Sequence, residues 1–160
     1  LGLLVSEAHF EKLQSYFDHA KAEILYFVYG LNTEKNMFVE PTVVDGVNAS
    51  DTLFKEEVFG PVLSVTTFHT IDEAIELAND SVYGLAGSVY TGSLRHAIKL
   101  SRAIRAGVVT VNCFGEGDIT TPFGGYKESG FGGRDKSIWA HDQYTELKTI
   151  WIDISEPNLG

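Results

Sequence analysis

The sequence has a single cysteine, Cys113, so it cannot form an intrachain disulfide and a reducing compartment is favoured. It has only 12 basic residues against 22 acidic ones, and the net charge of -10 disfavours nucleic acid or an anionic membrane surface as a partner. No apolar run is long enough to span a membrane, and the first residues lack the basic segment of a signal peptide. None of the five histidines has a second ligand at a zinc-site spacing. We therefore expect a cytoplasmic protein with no membrane partner and no metal site.

What is present is typical of a folded, globular chain with one unusual segment. Hydrophobic residues make up 44% of the 160 positions and aromatic residues 12%. Seven of the sixteen glycines fall within residues 112–134, together with three phenylalanines and Cys113. Glycine loses much conformational entropy on folding, so this density requires sharp turns or a close approach to the backbone. Composition alone leaves open whether the segment is a ligand-facing loop or a structural crossover.

The pattern of apolar residues predicts an α/β fold. Apolar positions recur at helical spacing from Glu7 to Ala22, and Thr70 with Glu73 forms a capping box before a second helix. The other predicted helices run from Ser93 to a C′ glycine at Gly107, and over Asp135–Asp142. The predicted strands are Ile24–Val28, Met37–Val44, Val62–Phe68, Leu85–Tyr90 and Val108–Val111, with a turn at Leu31–Asn36. Alternating helices and strands at this pacing indicate a mostly parallel sheet flanked by helices.

The last part of the chain is predicted to form a separate β-strand element. Tyr144–Ile154 is rich in β-prone residues, including three large apolar side chains in succession. A bare strand edge of this kind invites pairing, either with another chain or with the protein's own sheet. We expect an α/β unit over residues 1–143, a β-arm over 144–154 and a tail over 155–160.

The glycine-rich segment follows a predicted buried strand, at the edge where open α/β sheets bind ligands. Gly130 to Gly133 do not follow a strand and open a helix, so a dinucleotide phosphate loop is rejected. Cys113 could be a nucleophile, but the segment contains no histidine to act as its base, and a buried apolar cysteine is favoured. Glu116 and Asp118 could bind a cation or could be solvated loop acids.

A second candidate segment contains two adjacent acids, Glu56 and Glu57, followed by Phe59. A carboxylate can accept hydrogen bonds from both hydroxyls of a ribose, and a phenylalanine can pack on a flat ring. A surface turn before the next strand is the alternative.

Taken together, these segments resemble the aldehyde dehydrogenase superfamily. The two most specific are Glu56–Val62 and Pro122–Gly130, and the supporting segments are Phe38–Val43, Asn79–Ala86, Ala106–Asn112 and Tyr144–Thr149. The resemblance covers nearly the whole chain, although Ile24–Asn36 and Met37 depart from the family pattern.

The resemblance implies that this chain is the C-terminal part of a catalytic domain plus an oligomerisation arm, Tyr144–Ile154. It implies an enzyme in which a thiolate attacks an aldehyde, hydride passes to NAD or NADP, and a glutamate activates the hydrolytic water. The nucleophile and the base would lie upstream of Leu1, so no catalytic residue is assigned here. The isolated chain is expected to be inactive and to bind no cofactor tightly.

The resemblance also assigns residues. Glu57 would bind the nicotinamide-side ribose, Phe59 would lie at the nicotinamide end, and Phe123 would line the aldehyde tunnel with the loop from Phe114 to Thr120. The segments Phe114–Thr121 and Gly133–Ser137 are similar to members that act on γ-aminobutyraldehyde-type substrates from polyamine breakdown. In that subgroup Gly117 would open the tunnel, and Glu116 and Asp118 would attract an ammonium or guanidinium.

Two alternative hypotheses compete with the interpretation as an enzyme fragment. One is a stand-alone, non-catalytic module that dimerises through Tyr144–Ile154, and the other is a gene remnant of the same fold. The leading expectation remains a homo-oligomeric, cytoplasmic aldehyde dehydrogenase that oxidises amino- or guanidino-aldehydes.

Overall fold

The computed structural model describes residues 3–22, 26–29, 37–115 and 117–155. The helices are α1 (Glu7–Ala22), α2 (Thr52–Lys55), α3 (Ile71–Asn79) and α4 (Leu94–Ala103). The strands are β1 (Tyr26–Tyr29), β2 (Thr42–Asp45), β3 (Val62–Val65), β4 (Ala86–Val89) and β5 (Val108–Val111). Two 3₁₀ turns follow, at Lys127–Ser129 and Ile138–Gln143. None of the helices described is both long and apolar enough to cross a bilayer.

The strands form two sheets. In the first, β2 lies between β1, to which it is antiparallel, and β3, to which it is parallel from Thr42↔Val62 to Asp45↔Val65. In the second, β4 and β5 are parallel, from Ala86↔Val108 to Val89↔Val111. Helix α3 follows β3 along the chain, and α4 connects β4 to β5. The predicted α/β class with parallel strands and flanking helices is confirmed.

The predicted helix starts are also confirmed. The Ser6 hydroxyl accepts from the His9 N–H (3.2 Å), and the Thr70 hydroxyl accepts from the Glu73 N–H (3.1 Å). The Glu73 carboxylate in turn accepts from the backbone N–H of His69 (2.6 Å), which lowers the pKa of Glu73. The Ser93 hydroxyl caps α4 through its first turn (3.4 Å). Each cap supplies an acceptor to an N–H group that the helix itself leaves unpaired.

Gly107 does not terminate a helix, so that prediction is wrong. Helix α4 ends at Ala103, and Ile104 is already extended. The Gly107 N–H donates instead to the carbonyl oxygen of Gly84 (3.0 Å). A Cβ on Gly107 would lie 1.7 Å from the carbonyl oxygen of Gly124. The glycine is required because two backbone segments meet here.

Several predicted boundaries were too wide. The strand predicted at Met37–Val44 begins only at Thr42, since Met37 has a φ of 59° and Pro41 has no N–H for a ladder. The strand from Val62 ends at Val65. The helix predicted at Asp135–Asp142 is a 3₁₀ turn, because Lys136 and Ser137 have φ angles of 62° and 55°. The predicted turn at Leu31–Asn36 and the first residues of the strand at Ile24 lie outside the described residues.

The core lies between α1 and the first sheet. One buried cluster joins the α1 residues Tyr16 and Ala20 to Val44, Val47 and Leu53. A second cluster joins Leu13, Phe17 and Val39. Fully burying a side chain of this size stabilises a fold by about 1.5–3 kcal/mol, so α1 is firmly anchored. In the described chain from Ile71 onward, Val89 is the one buried hydrophobic side chain.

The terminal arm forms no strand in the structure. Residues 145–155 belong to no helix or ladder, and the side chains of Leu147, Trp151 and Ile154 are at least 89% exposed. The predicted strand is therefore wrong for the chain by itself, because β-propensity does not make a strand without a hydrogen-bonding neighbour. Pairing with another chain stays a prediction.

Candidate functional site

The segment Glu56–Gly60 connects α2 to β3, and its two acids have different surroundings. The Glu56 carboxylate accepts a hydrogen bond from the Tyr16 hydroxyl (2.7 Å). Glu57 is exposed, and among the described residues its carboxylate has neither a hydrogen bond nor an ion pair. Phe59 has a φ of 53° and a side chain that is 69% exposed. An unengaged carboxylate therefore lies two residues from a solvent-facing aromatic ring.

This arrangement fits part of a dinucleotide site. A ribose diol needs a carboxylate that is accessible and not already hydrogen-bonded, and Glu57 meets these two conditions better than Glu56. The exposed Phe59 ring offers a flat apolar surface for a heteroaromatic ring. Glu57 and Phe59 are both exposed in the structure, and their roles in cofactor binding stay predictions.

Asp118 makes a compact turn inside the glycine-rich segment. Its carboxylate accepts from the Thr120 N–H (2.9 Å) and the Thr120 hydroxyl (2.8 Å), and its carbonyl oxygen accepts from the Thr121 N–H (2.9 Å). The bond from the Thr120 N–H is the main reason that the pKa of Asp118 is lowered. The carboxylate is exposed and stays ionised, so it can face a cation while it holds the turn.

Gly117 has a local structural reason to be glycine. Its φ is +76°, and a Cβ would lie 2.5 Å from the Thr121 hydroxyl oxygen. The predicted role in widening a tunnel is therefore not the sole explanation for this residue. Glu116, the other predicted cation contact, lies outside the described residues.

Phe123 and Asp118 both neighbour Lys136. The Lys136 ammonium lies 5.2 Å from the centre of the Phe123 ring, a cation–π distance, and its charge contributes to lowering the pKa of Asp118. Phe123 also forms an isolated antiparallel bridge with Asp135. Sequence reasoning missed Lys136, because nothing in the local pattern shows that the chain folds back on Phe123.

Two cavities lie beside this cluster. One of about 140 Å³ is lined by Phe123, Phe131, Asp135 and Gln143 among others. One of about 660 Å³ is lined by Ile119, Thr120, Lys136, Ile138 and Trp139 among others. Phe123 therefore lines the smaller cavity, and Lys136 and Thr120, which belongs to the Asp118 turn, line the larger one.

The expectation that Cys113 is buried is wrong. Its side chain is exposed, and the strand before it, β5, is half-buried along its whole length. The chain leaves β5 through Asn112, whose φ is 55° and whose side-chain amide bonds with the backbone of Thr91. That turn directs Cys113 away from the sheet.

The motif around Lys127 is structural, which sequence reasoning also missed. The Lys127 ammonium donates to the carbonyl oxygens of Asn79 (2.9 Å) and Ser81 (2.8 Å) at the C-terminal end of α3. A cation is favoured there, since helix carbonyls are unpaired at that end. The Ser129 hydroxyl accepts from the Gly84 N–H (3.0 Å). These bonds attach the segment that follows Phe123 to the rest of the fold.

Comparison with known proteins assigns the chain to a family. The model for the aldehyde dehydrogenase family matches residues 1–150. An aminoacetaldehyde dehydrogenase of Pseudomonas aeruginosa is 73% identical over 97% of this chain and 31% of its own length. The NADP/NAD-dependent aldehyde dehydrogenase PuuC of Escherichia coli is 43% identical over 96% of this chain and 31% of its own.

A solved structure shows the same fold. The P. syringae indole-3-acetaldehyde dehydrogenase AldA, in a mutant crystallised with NAD+ and IAA, aligns with a TM-score of 0.88 and 47% identity. The alignment covers 96% of this chain and 32% of AldA. The chain therefore spans about a third of the length of the relatives it matches. The family match and these identities show that the chain belongs to the aldehyde dehydrogenase family.

Proposed function

We propose that this chain serves in an enzyme that oxidises aminoaldehydes to carboxylic acids with NAD+ or NADP+. The observation that carries the proposal is the unengaged Glu57 carboxylate beside the exposed Phe59 ring. The 73% identity to an aminoacetaldehyde dehydrogenase supports the substrate class.

Each residue has a proposed role. Glu57 would accept hydrogen bonds from the hydroxyls of the nicotinamide-side ribose, and Phe59 would limit the movement of the nicotinamide end. When bound, the dinucleotide supplies the hydride acceptor. Phe123 would form one wall of the path taken by the aldehyde, with the loop Phe114–Thr120 beside it.

The substrate's positive charge would be recognised at Asp118, with Glu116 as a second proposed contact. Asp118 is ionised at neutral pH, because its pKa is lowered by the Thr120 N–H. Lys136 already places a cation near this carboxylate and over Phe123. Because Lys136 already interacts with Asp118, the attraction of Asp118 for a substrate ammonium would be weakened. We therefore expect only a moderate preference for cationic over neutral aldehydes.

The nucleophile and the general base are proposed to lie outside these 160 residues. Cys113 is exposed, and the sequence offers no histidine in its own segment. A test is to incubate the purified 160-residue chain with NAD+ and an aldehyde and to follow NADH absorbance. We expect no NADH to form. NADH formation that disappears in a Cys113→Ala variant would overturn the proposal.

Assembly and location are proposed on the same basis. The apolar side chains of the arm, from Tyr144 to Ile154, are exposed in the single chain, which favours pairing with a second copy. The enzyme would be a homo-oligomer, would be located in the cytoplasm and would act in polyamine breakdown. The same exposure favours the second candidate function, a dimerising module without catalysis. Two results together would support that module: the isolated chain dimerises, and the intact protein oxidises no aldehyde.

The substrate test uses the intact protein and a pair of aldehydes of similar length, aminoacetaldehyde and propanal. Asp118→Asn keeps an oxygen for the Thr120 turn and removes the charge. We expect its KM for the cationic aldehyde to rise about 2- to 5-fold, the range of an exposed ion pair, and that for propanal to stay unchanged. Asp118→Ala should raise the KM for the cation further, because the turn is lost as well.

Asp45→Asn is the matched control. The Asp45 carboxylate accepts from the Gly46 N–H (2.8 Å), so it makes a similar local bond at a residue with no proposed role in binding or assembly. This variant should leave both KM values unchanged. Equal effects of Asp118→Asn on both aldehydes would contradict cation recognition.

A further inference from the structure

The larger of the two cavities has no ligand assigned to it. Its volume is about 660 Å³, which lies within the range of small-molecule sites. Seven described residues line it: Ile119, Ile138 and Trp139 are apolar or aromatic, Lys136 and His141 have basic side chains, and the other two have hydroxyl groups. None of these seven is acidic, although acids outnumber bases in the chain by 22 to 12. The lining therefore disfavours a cation and suits an anion with an apolar body.

The apolar part of this wall is uncovered. The side chain of Trp139 is 54% exposed, and that of Ile138 is 78% exposed. Exposed apolar surface inside a cavity favours a ligand that removes it from water, by about 25 cal/mol for each Å² covered. The indole of Trp139 adds a flat face on which an aromatic or aliphatic group can pack. We therefore expect a ligand with an apolar or aromatic body.

The backbone at Lys136 is strained and is held by other residues of the same wall. Lys136 and Ser137 have φ angles of 62° and 55°, and two successive non-glycine residues in the left-handed region are uncommon. Such a turn persists where neighbouring contacts impose it. The Ser137 N–H donates to the Ile119 carbonyl oxygen (2.9 Å), and the Ser137 hydroxyl accepts from the Trp139 N–H (3.3 Å). This turn therefore fixes the residue with the cation and the residue with the indole close together on the wall.

Lys136 also connects this cavity to the proposed site for the substrate cation. Its ammonium lies 5.2 Å from the centre of the Phe123 ring, and its charge contributes to lowering the pKa of Asp118. A carboxylate bound at Lys136 would offset that positive charge. Asp118 would then attract a substrate ammonium more strongly, because Lys136 would cancel less of its field. The two ligands would therefore bind cooperatively.

We propose that the larger cavity binds a monocarboxylate with an apolar or aromatic body, and that this ligand increases the affinity of the intact protein for cationic aldehydes. The carboxylate would accept from the Lys136 ammonium, and the body would pack on Trp139 and Ile138. The binding part of the inference stands on the cavity alone. The coupling part rests on the proposed function of Asp118.

Binding is tested on the intact protein by isothermal titration calorimetry with phenylacetate. Benzylamine is the second probe, since it has a similar shape and the opposite charge. Lys136→Met removes the cation, Lys136→Arg keeps it, and Trp139→Leu removes the ring. Lys99→Met is the matched control, because it also removes a partly exposed ammonium, one that pairs with Asp72 and does not line the cavity.

Phenylacetate should bind the wild type more tightly than benzylamine does. Lys136→Met should raise the Kd for phenylacetate about 3- to 10-fold, the range expected for one lost hydrogen bond, and Trp139→Leu should raise it about 2- to 10-fold. Lys136→Arg and Lys99→Met should change it less than about 2-fold. Tm is measured for each variant, and Lys136→Met decides the outcome where Trp139→Leu lowers Tm.

Three results would overturn the binding part of the inference. The first is equal affinity for phenylacetate and benzylamine, and the second is a Kd for phenylacetate that Lys136→Met leaves unchanged. The third is the absence of phenylacetate binding up to about 10 mM, a concentration at which even a weak site is filled.

The coupling is tested on the intact protein with aminoacetaldehyde and propanal. Saturating phenylacetate should lower KM for aminoacetaldehyde about 2- to 5-fold and leave KM for propanal unchanged. Lys136→Met should show the lower KM for aminoacetaldehyde without phenylacetate and should not respond to it. An unchanged KM for aminoacetaldehyde would overturn the coupling, and a higher KM for both aldehydes would place phenylacetate on the aldehyde path and overturn the whole inference. If the protein oxidises neither aldehyde, the proposed function fails, and the calorimetric result still decides whether the cavity binds carboxylates.

Discussion

Replacing Gly107 with alanine tests how the segment that carries Phe123 is attached to the fold. In the structure a Cβ at this position would lie 1.7 Å from the Gly124 carbonyl oxygen and 2.8 Å from its carbon. Both are backbone atoms, so no side-chain rotation can relieve the overlap. The two segments would have to separate by about 2 Å to reach an ordinary contact.

That separation would disturb two hydrogen bonds. The N–H groups of Gly107 and Tyr126 both donate to the carbonyl oxygen of Gly84, at 3.0 and 2.8 Å. Overpacking costs typically 1–3 kcal/mol, and each weakened bond about 1 kcal/mol more, so we expect a loss of about 3–5 kcal/mol. A loss of about 3 kcal/mol lowers the unfolding midpoint by about 6–12 °C in a cooperative unit of this size, and by less in a longer chain that unfolds as one unit.

The assay is thermal unfolding of the intact protein, followed by circular dichroism, together with KM values for NAD+ and aldehyde. Gly92→Ala is the matched control, because a Cβ there meets nothing within 4 Å. Gly107→Ala should also raise KM for the aldehyde more than KM for NAD+, since Gly124 adjoins Phe123. A Gly107→Ala protein that melts within about 1 °C of Gly92→Ala, well below the shift expected above, would refute the reasoning.

Three further variants test other contacts. Lys136→Met removes the cation over Phe123, so kcat/KM for a cationic aldehyde should rise about 2- to 5-fold relative to a neutral one; a fall would contradict this. Glu73→Ala should lower Tm at pH 7, but Glu76→Ala, on the same helix, should not. Because folding lowers the pKa of Glu73, its contribution is present above about pH 4.5 and is lost as the pH falls through the folded-state pKa, so the Tm difference should vanish in acid. Lys127→Met should cost about 1–3 kcal/mol in urea unfolding, because two carbonyl oxygens at the end of α3 lose their donor.

Helix α1 could be predicted at both ends because its signals are local. Ser6 caps the first turn, and the apolar residues recur every three or four positions up to Ala22. The capping box at Thr70 is equally local. The strand at Val108–Val111 was predicted at its observed bounds for the same reason, since four β-prone residues follow a glycine.

What the sequence left open depends on contacts distant along the chain. Residue patterns alone do not distinguish the surroundings of Glu56 and Glu57; in the structure the hydroxyl of Tyr16, 40 residues before Glu56, bonds to Glu56. The role of Gly107 is decided by Gly124, and the exposure of Cys113 by the turn at Asn112, whose side chain bonds to the backbone of Thr91, 21 residues earlier. Propensity and periodicity do not contain this information, because it arises only when separate elements pack.

The candidate cofactor segment, Glu56–Gly60, and the candidate aldehyde segment, which carries Phe123, are held by different parts of the fold. We therefore expect substitutions at the two segments to act independently. The cofactor segment rests on α1 through His9 and Tyr16. The aldehyde segment is attached near Gly84 and the end of α3, through Lys127 and backbone bonds. The free-energy changes caused by two substitutions add when the substituted residues share no partners. Combining Tyr16→Phe with Lys127→Met should therefore lower the free energy of unfolding in urea by the sum of the two separate losses, because the contacts that they remove do not meet.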